Sequence, residues 1–419
     1  MYTRIQERLY RFLRWSERYT KTDMVYLAES GFWMQANSVF IAIASFGLYL
    51  VFARVVPKEV YGTYQYLLSI GTIVASFTLT GMSTAVIRAV ARGFEGSFRE
   101  SIRVQLLWGI IPTIGAWVAS AYYLVHGNAT LGIGLIVLGI FVPLNTTLNT
   151  YGAYLTAKRD FRRSFLYSLF INAPYYLAVI STAFSVSTAL ALLIANLVSQ
   201  CLGYVLAHRQ TLRTFKPTDI RDPEAIPYGI HLSTMNFLSA TIAQLDNILV
   251  FHFLGAGPLA LYSFATAVPD RLDIFKNVTS AAFPKFANRT HAEIRSSIAH
   301  KLFISIGAAL VIALVWNVLA HSFFALFFPR YIDAVPYSQV YVFLTAAMFG
   351  SFFTTALVAH GHIKLLYAYK IITPLLQIVI LIAGIVLGGL WGLVIARVVS
   401  ALAASLVAMV FFFKAGETL

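Results

Sequence analysis

The chain has 419 residues, of which 59% are hydrophobic and 11% are charged, and its mean hydropathy is +0.74. A soluble chain usually carries about 25% charged residues, so the composition excludes a soluble globular protein and makes lipid the main solvent. The single cysteine, Cys201, excludes an intrachain disulfide and a thiolate metal cluster. A net charge of +14 would suit a nucleic-acid partner, unless the basic residues lie in cytoplasmic loops of a membrane protein.

The N-terminal segment, residues 1–28, precedes the first apolar run and holds six Lys and Arg. This composition is not that of a signal peptide. The pattern predicts a cytoplasmic amphipathic helix that lies on an anionic leaflet, and a solvated basic tail is the alternative. One helical face carries the apolar residues and the other the basic ones: Ile5, Leu9, Phe12, Leu13 and Trp15 against Arg4, Arg11, Arg14 and Arg18.

Twelve segments are long and apolar enough to cross a bilayer, for which about twenty mostly apolar residues are needed. They predict an all-α polytopic membrane protein with about twelve transmembrane helices in two six-helix lobes around a central cavity. The N-lobe covers residues 29–207, a cytoplasmic linker 208–228, the C-lobe 229–414 and a cytoplasmic tail 415–419. Spans 1 to 12 are predicted at residues 29–53, 64–90, 102–125, 131–157, 164–184, 187–207, 229–253, 259–284, 299–321, 336–359, 365–387 and 390–413.

The basic residues divide unequally between the two sides of this topology. Of the 31 Lys and Arg, 24 lie on the side that holds both termini, three on the opposite side and four inside spans. Cytoplasmic loops carry such an excess, so both termini are predicted to be cytoplasmic. The same distribution accounts for the basic charge without nucleic acid.

The two halves resemble each other at their first external turns. Residues 51–64 and 249–262 align at an offset of 198, and both contain an apolar helix end, a Gly/Pro turn and a tyrosine, Tyr64 or Tyr262. Chance similarity between apolar segments is the alternative. A parallel repeat is a transporter architecture in which the substrate path lies between the halves.

Three patches are similar to a known family. The first external turn runs from Ala53 to Tyr64 and ends in Tyr-Gly-Thr-Tyr, while residues 81–88 have the form Gly-x-x-x-Ala-x-x-Arg. Residues 244–262 carry an Asp-bearing seventh span followed by a Gly-to-Tyr turn. Together they resemble the Wzx-type O-antigen and exopolysaccharide flippases, the polysaccharide transporters of the multidrug/oligosaccharidyl-lipid/polysaccharide exporter superfamily. The first turn departs from the family in having Lys58-Glu59 where an acidic pair is common.

The resemblance implies a multi-pass transporter of a bacterial or archaeal cytoplasmic membrane, with no catalytic residue, metal or cofactor. Its substrate would be an undecaprenyl-pyrophosphate-linked oligosaccharide, an O-antigen or exopolysaccharide repeat unit moved to the external leaflet by alternating access. A basic central cavity would accept the pyrophosphate and glycan while the polyprenyl tail stays in lipid. The implied partners are membrane lipids and the polysaccharide polymerase and chain-length machinery.

Ionisable residues inside spans cost about 2.5–3.5 kcal/mol on insertion scales, so retained ones tend to face a cavity or a partner. In span 8, Asp270 and Asp273 share one helical face, while Arg271 points about 100° away from Asp270. Asp246 of span 7 and Arg397 of span 12 are therefore expected to complete interhelical pairs. A self-neutralising network that only joins helices is the alternative to a cationic vestibule.

The predicted site residues fall into two groups. The basic residues predicted to bind pyrophosphate or glycan are Arg271, Lys276, Arg397, Arg54, Lys370 and Arg88. The carboxylates predicted for ion coupling or charge pairing are Asp246, Asp270 and Asp273, with plain pairing favoured over coupling.

Two other functions compete with the flippase. An ion-coupled multidrug or small-solute antiporter of the same superfamily predicts a net acidic cavity. A membrane glycan polymerase or ligase would need catalytic groups on a large external loop, and the longest predicted one, about residues 322–335, is too short for that.

Overall fold

The computed structural model describes residues 14–15, 24–272, 291–359 and 363–415. Within these ranges every regular element is a helix. Most of the predicted amphipathic segment 1–28 lies outside the described residues, as do Asp273 and Lys276.

The helices of the first six spans follow the predicted order. Span 2 is interrupted between residues 77 and 81, where Leu79 takes a left-handed φ of 59°. Span 6 extends the predicted range and shortens the non-helical part of the linker to residues 216–224. The helices are Met24–Val55 (span 1), Lys58–Ser76 and Met82–Ala91 (span 2), Gly96–Trp108 and Ile110–Val125 (span 3), Ala129–Leu148 and Tyr151–Ala157 (span 4), Phe161–Ser185 (span 5) and Ala189–Phe215 (span 6).

The last six spans also follow the predicted order. Spans 9 and 10 are separated by Phe328 alone, so the expected external loop at 322–335 is almost entirely helical. The helices are Ala225–Ile242 and Leu245–Leu254 (span 7), Ala256–Ala267 and Pro269–Leu272 (span 8), His291–Phe327 (span 9), the 3₁₀ turn Pro329–Ala334 with Val335–Tyr341, the 3₁₀ segment Val342–Phe349 and Gly350–Ala359 (span 10), and Ile363–Ala415 (spans 11 and 12).

Spans 11 and 12 form a hairpin within that last helical run. Gly389 breaks the helix with φ 55° and ψ −136°. A Cβ added to Gly384 would overlap the carbonyl of Gly392 and the side chain of Ala396. Residues 384 and 392 would be about 12 Å apart along a straight helix, so the chain must fold back at Gly389.

Nine helices of the described residues are long and apolar enough to cross a membrane. One of them, counted from Lys364 to Ala415, contains the hairpin of spans 11 and 12. The prediction of an all-α, multi-pass membrane protein is therefore confirmed.

The chain divides into two compact units. The first comprises residues 1–49, 74–186 and 190–234, and it includes the linker and the beginning of span 7. The second comprises residues 50–73, 187–189 and 235–419, and it includes the end of span 1 and the first part of span 2.

The core of the first unit is aromatic near the linker. Tyr154 packs against Phe98 and Phe215, with ring centroids 4.8 and 5.5 Å apart. The beginning of span 7 is held by a hydrogen bond from the Gly81 N–H to the Ser233 hydroxyl, 3.0 Å long. These contacts join spans 2, 3, 4, 6 and 7.

A partly buried carboxylate, Glu95, lies between spans 2 and 3 in the same unit. It forms an ion pair with Lys158 and accepts hydrogen bonds from the Thr218 N–H at 3.2 Å and the Tyr154 hydroxyl at 3.3 Å. Burial alone would raise the pKa of Glu95, but these donors outweigh it and hold the pKa below its ordinary value of 4.5.

The second unit is joined by an aromatic chain. Tyr61 packs against Phe52 and Phe264, with centroids 5.3 and 5.0 Å apart, and Phe264 stacks on Tyr331 at 3.8 Å. Span 2 approaches the start of span 8 so closely that a Cβ at Gly62 would overlap the backbone carbonyl of residue 256. Glycine is therefore required at position 62.

A charge cluster in the second unit as candidate functional site

The site begins with a break in span 7. The helix ends at Ile242 and a second helix begins at Leu245, which places Asp246 in its first turn. The Asp246 carboxylate is buried, and its Oδ1 accepts a hydrogen bond from the Asn247 N–H at 3.0 Å. A helix N-terminus favours a negative side chain by about 0.3–1 kcal/mol. The break thus gives a carboxylate inside a span local stabilisation.

Two other spans supply partners to Asp246. The Tyr262 hydroxyl of span 8 donates to Asp246 Oδ2 at 2.7 Å, and Arg397 Nε of span 12 lies 3.6 Å from the same oxygen. Asp246 and Arg397 were expected to complete interhelical pairs with the charges of span 8; here they pair with each other. The contact is ionic, since the buried Nε has no hydrogen-bond partner in the described chain.

A second tyrosine extends the arrangement to span 10. The Tyr341 hydroxyl donates to Asp270 Oδ1 at 2.9 Å, and its ring meets the Tyr262 ring edge-on with centroids 6.2 Å apart. Asp246, Tyr262, Asp270, Tyr341 and Arg397 are called the charge cluster below. They bring together spans 7, 8, 10 and 12 inside the second unit.

Helix lengths indicate that Asp246 and Arg397 lie well away from the ends of their spans. Asp246 is eight residues before the end of its helix at Leu254, and Arg397 is eight residues after the hairpin turn at Gly389. At 1.5 Å per residue both lie about 12 Å from those helix ends. A hydrocarbon core of about 30 Å contains that depth.

Arg397 is anchored but still accessible. Its side chain is 23% exposed, against 9% for Asp246. Because Arg397 Nε is fully buried, the accessible area lies elsewhere on the side chain. An arginine can present a planar fork of N–H donors to phosphate oxygens, and here the Nε edge is already directed at a carboxylate.

The other predicted binding residues do not join this arrangement. Arg54 Nη2 donates to the Leu326 carbonyl at 3.2 Å, in the last turn of span 9, where helix carbonyls lack intrahelical partners. Arg88 lies in the first unit, 3.9 Å from Glu224. Arg271 and Lys370 are exposed and form no ion pair with described residues.

Sequence reasoning missed the two tyrosines as members of the site. Tyr262 had a signal, because it is the repeat tyrosine at the end of the Gly-to-Tyr turn. No sequence signal identified Tyr341, because it is one of 23 tyrosines in the chain and lies in an apolar segment that does not indicate a carboxylate partner.

Comparisons with known proteins agree on family and fold. The sequence profile of a family described as polysaccharide biosynthesis protein matches residues 51–292, more than half of the chain. Comparison with curated protein sequences gives no match.

The fold is similar to an inward-facing multidrug resistance MATE family transporter of the MOP superfamily, with TM-score 0.67, 14% identity and coverage of 90% of this chain and 94% of that one. For an outward-facing MATE transporter of the same superfamily the TM-score is 0.60 at 14% sequence identity, with coverage of 94% of this chain and 95% of that one. For a MATE in complex with MaL6 the TM-score is 0.60 at 15% sequence identity, with coverage of 94% of this chain and 96% of that one. These matches confirm the predicted two-lobed, twelve-helix fold class.

Proposed function

We propose that this chain is a flippase for a lipid-linked oligosaccharide, because it belongs to the polysaccharide biosynthesis protein family and has a membrane-transporter fold. The substrate would be an oligosaccharide on undecaprenyl pyrophosphate, an O-antigen or exopolysaccharide repeat unit. Alternating access would move it from the cytoplasmic to the external leaflet of a bacterial or archaeal cytoplasmic membrane. Both termini would be cytoplasmic, as the basic loops predict.

The proposal rests on the position and contacts of Arg397. It is an arginine deep in a span, held on one edge by Asp246 and accessible on the rest of its side chain. Arg–phosphate contacts are charge-assisted and often bidentate. Asp246 supplies the negative charge that the pyrophosphate would supply when bound. Arg271, Lys276 and Lys370 are proposed as further contacts for the pyrophosphate or glycan.

Arg54 has a structural partner that makes it a weaker candidate for substrate binding, and Arg88 lies outside the charge cluster. Arg54 caps the end of span 9, so its replacement would disturb packing before it affected a ligand. Arg88 is half-exposed beside the linker, in the first unit.

Transport assays with purified protein in proteoliposomes test the proposal. A fluorescent or enzymatically accessible lipid-linked oligosaccharide should reorient at a rate that depends on the wild-type protein. Arg397→Gln should abolish most of that rate, while Arg330→Gln, an exposed arginine at the turn between spans 9 and 10, should keep it. No reorientation by wild type would refute the proposal, and equal rates for the two variants would refute the role given to Arg397.

One observation favours the antiporter as a second candidate. The charge cluster contains two carboxylates, Asp246 and Asp270, and one guanidinium, which suits a cation or proton better than an anion. In that function Asp246, Asp270 and Asp273 would couple transport to an ion. A pH or sodium gradient driving efflux of an organic cation from the same proteoliposomes, with no movement of lipid-linked glycan, would select this candidate.

A further inference from the structure

The linker lies against the segment that joins spans 2 and 3, entirely within the first unit. The Gly96 N–H donates to the Ile220 carbonyl at 2.8 Å, and the Asp222 N–H donates to the Ser97 hydroxyl at 2.8 Å. A Cβ on Gly96 would lie 2.6 Å from the carbonyl carbon of Asp219, so only glycine permits this approach. The linker backbone is therefore docked at a fixed register.

That register places three linker carboxylates beside three arginines. Asp219 is 3.0 Å from Arg99, Asp222 is 3.5 Å from Arg92, and Glu224 is 3.9 Å from Arg88. We call these three arginines the arginine row. Each partner carboxylate comes from the same six residues of the linker, 219–224, so the three pairs form or break with one segment.

Two of these pairs are more exposed than the nearby Glu95–Lys158 pair. The side chains of the arginine row are 48–53% exposed, and the partner carboxylates of Asp219 and Glu224 are 86% and 78% exposed, whereas Glu95 is 15% and Asp222 is 9% exposed. Exposed ion pairs contribute little to stability, so exchanging Asp219 and Glu224 for another anion costs little. The remaining nearby pair has the opposite polarity, with Arg221 of the linker 3.9 Å from Glu100.

We propose that the arginine row is a binding site for phosphate-bearing headgroups, and that the linker carboxylates occupy it as stand-in ligands when it is empty. A diphosphate carries more charge than one carboxylate and offers several acceptor oxygens to arginine forks. The ligand displaces the carboxylates and leaves the linker held by its backbone bonds to Gly96 and Ser97. The site extends the proposed function, because it lies on the face that the basic loops assign to the cytoplasm, where the substrate is loaded.

Two sources share this headgroup chemistry, the diphosphate of a lipid-linked substrate and the phosphate of an anionic phospholipid. Inorganic pyrophosphate is the probe for the first. Nanodiscs of phosphatidylglycerol, compared with phosphatidylcholine, are the probe for the second. A label on the linker reports either one, since the Ile220 side chain is 61% exposed while its carbonyl holds the docked register.

The experiment uses the full chain with Cys201→Ser, Ile220→Cys carrying the label, and Arg397→Gln to silence the charge cluster. In phosphatidylcholine nanodiscs, pyrophosphate should change the label's mobility saturably. Arg92→Gln with Arg99→Gln should weaken that response about tenfold or more, which corresponds to about 1.4 kcal/mol. Arg162→Gln removes an exposed arginine that faces Trp33 instead of the linker, and it should have no effect.

The decisive variant neutralises the linker, with Asp219→Asn, Asp222→Asn and Glu224→Gln. If the carboxylates are stand-in ligands, this variant should bind pyrophosphate severalfold more tightly in a direct titration. Unchanged or weaker binding would overturn the proposal, as would a wild-type response in the Arg92/Arg99 variant. A response to phosphatidylglycerol alone assigns the site to bilayer headgroups.

These outcomes are separable from the fate of the flippase proposal. A chain with native Arg397 that reorients lipid-linked oligosaccharide but shows no pyrophosphate response at the linker contradicts only the arginine-row site. A chain that shows the response but moves no glycan contradicts only the flippase.

Discussion

Removing one partner of the Asp246–Arg397 pair should destabilise the protein far more than removing both. The charges are 3.6 Å apart, which gives a gross attraction of about 4.6 kcal/mol at an effective dielectric constant of 20. The desolvation of the two buried charges offsets part of this attraction, so the pair as a whole contributes little net stability. Breaking a buried pair leaves one charge uncompensated, at about 3–5 kcal/mol. We expect Asp246→Asn to cost about 3 kcal/mol and Arg397→Gln a similar amount.

The double variant Asp246→Asn/Arg397→Gln isolates the interaction. It should cost about 2–3 kcal/mol less than the sum of the single variants, because neither charge is then left alone. Reversible unfolding in mixed detergent micelles, followed by tryptophan fluorescence, gives the three free energies. Arg330→Gln is the control for loss of a basic residue without a buried partner. Additivity within about 0.5 kcal/mol would show that the two side chains do not interact and would refute the reasoning.

Three further predictions address individual contacts. Tyr262→Phe removes a hydrogen bond to a buried carboxylate and should lower the free energy of unfolding by about 1.5–3 kcal/mol, with Tyr367→Phe as the exposed comparison. Glu95 has a pKa below its ordinary value of 4.5, so its stabilising effect is complete above pH 4.5 and is lost as the pH falls through the lower pKa of the folded state. Glu95→Gln should therefore abolish that part of the acid dependence of the melting temperature. Gly389→Ala should destabilise the hairpin by about 1–3 kcal/mol because its φ of 55° is strained for a side chain; Gly388→Ala, with open space at its Cβ, is the matched variant.

Hydropathy alone predicted the order of the spans, because each must bury about twenty apolar residues in lipid whatever its neighbours are. The sequence also indicated that Asp246 and Arg397 would take part in interhelical pairs, since charges deep in spans require compensation, but it did not indicate that they would pair with each other. The same argument could not show that span 10 follows span 9 after a single residue, Phe328. That turn depends on Pro329 starting a 3₁₀ segment immediately after the long helix ends.

The sequence could not predict contacts that depend on the register between distant spans. Tyr341 reaches Asp270 across 71 residues, and Arg54 caps a helix end 272 residues away. No local pattern encodes either distance. The same holds for the docked linker, whose fit depends on Gly96 meeting the backbone of residue 219. An isolated glycine at a helix start gives no sign of such a partner.

The measurement that bears most directly on the proposed function is the initial rate of lipid-linked oligosaccharide reorientation in proteoliposomes of defined protein orientation. The flippase account predicts protein-dependent movement that Arg397→Gln removes and Arg330→Gln preserves, at equal amounts of folded protein. Movement that is unaffected by Arg397→Gln would contradict the role given to the charge cluster. Absence of movement in wild type, together with gradient-driven efflux of an organic cation, would contradict the flippase itself.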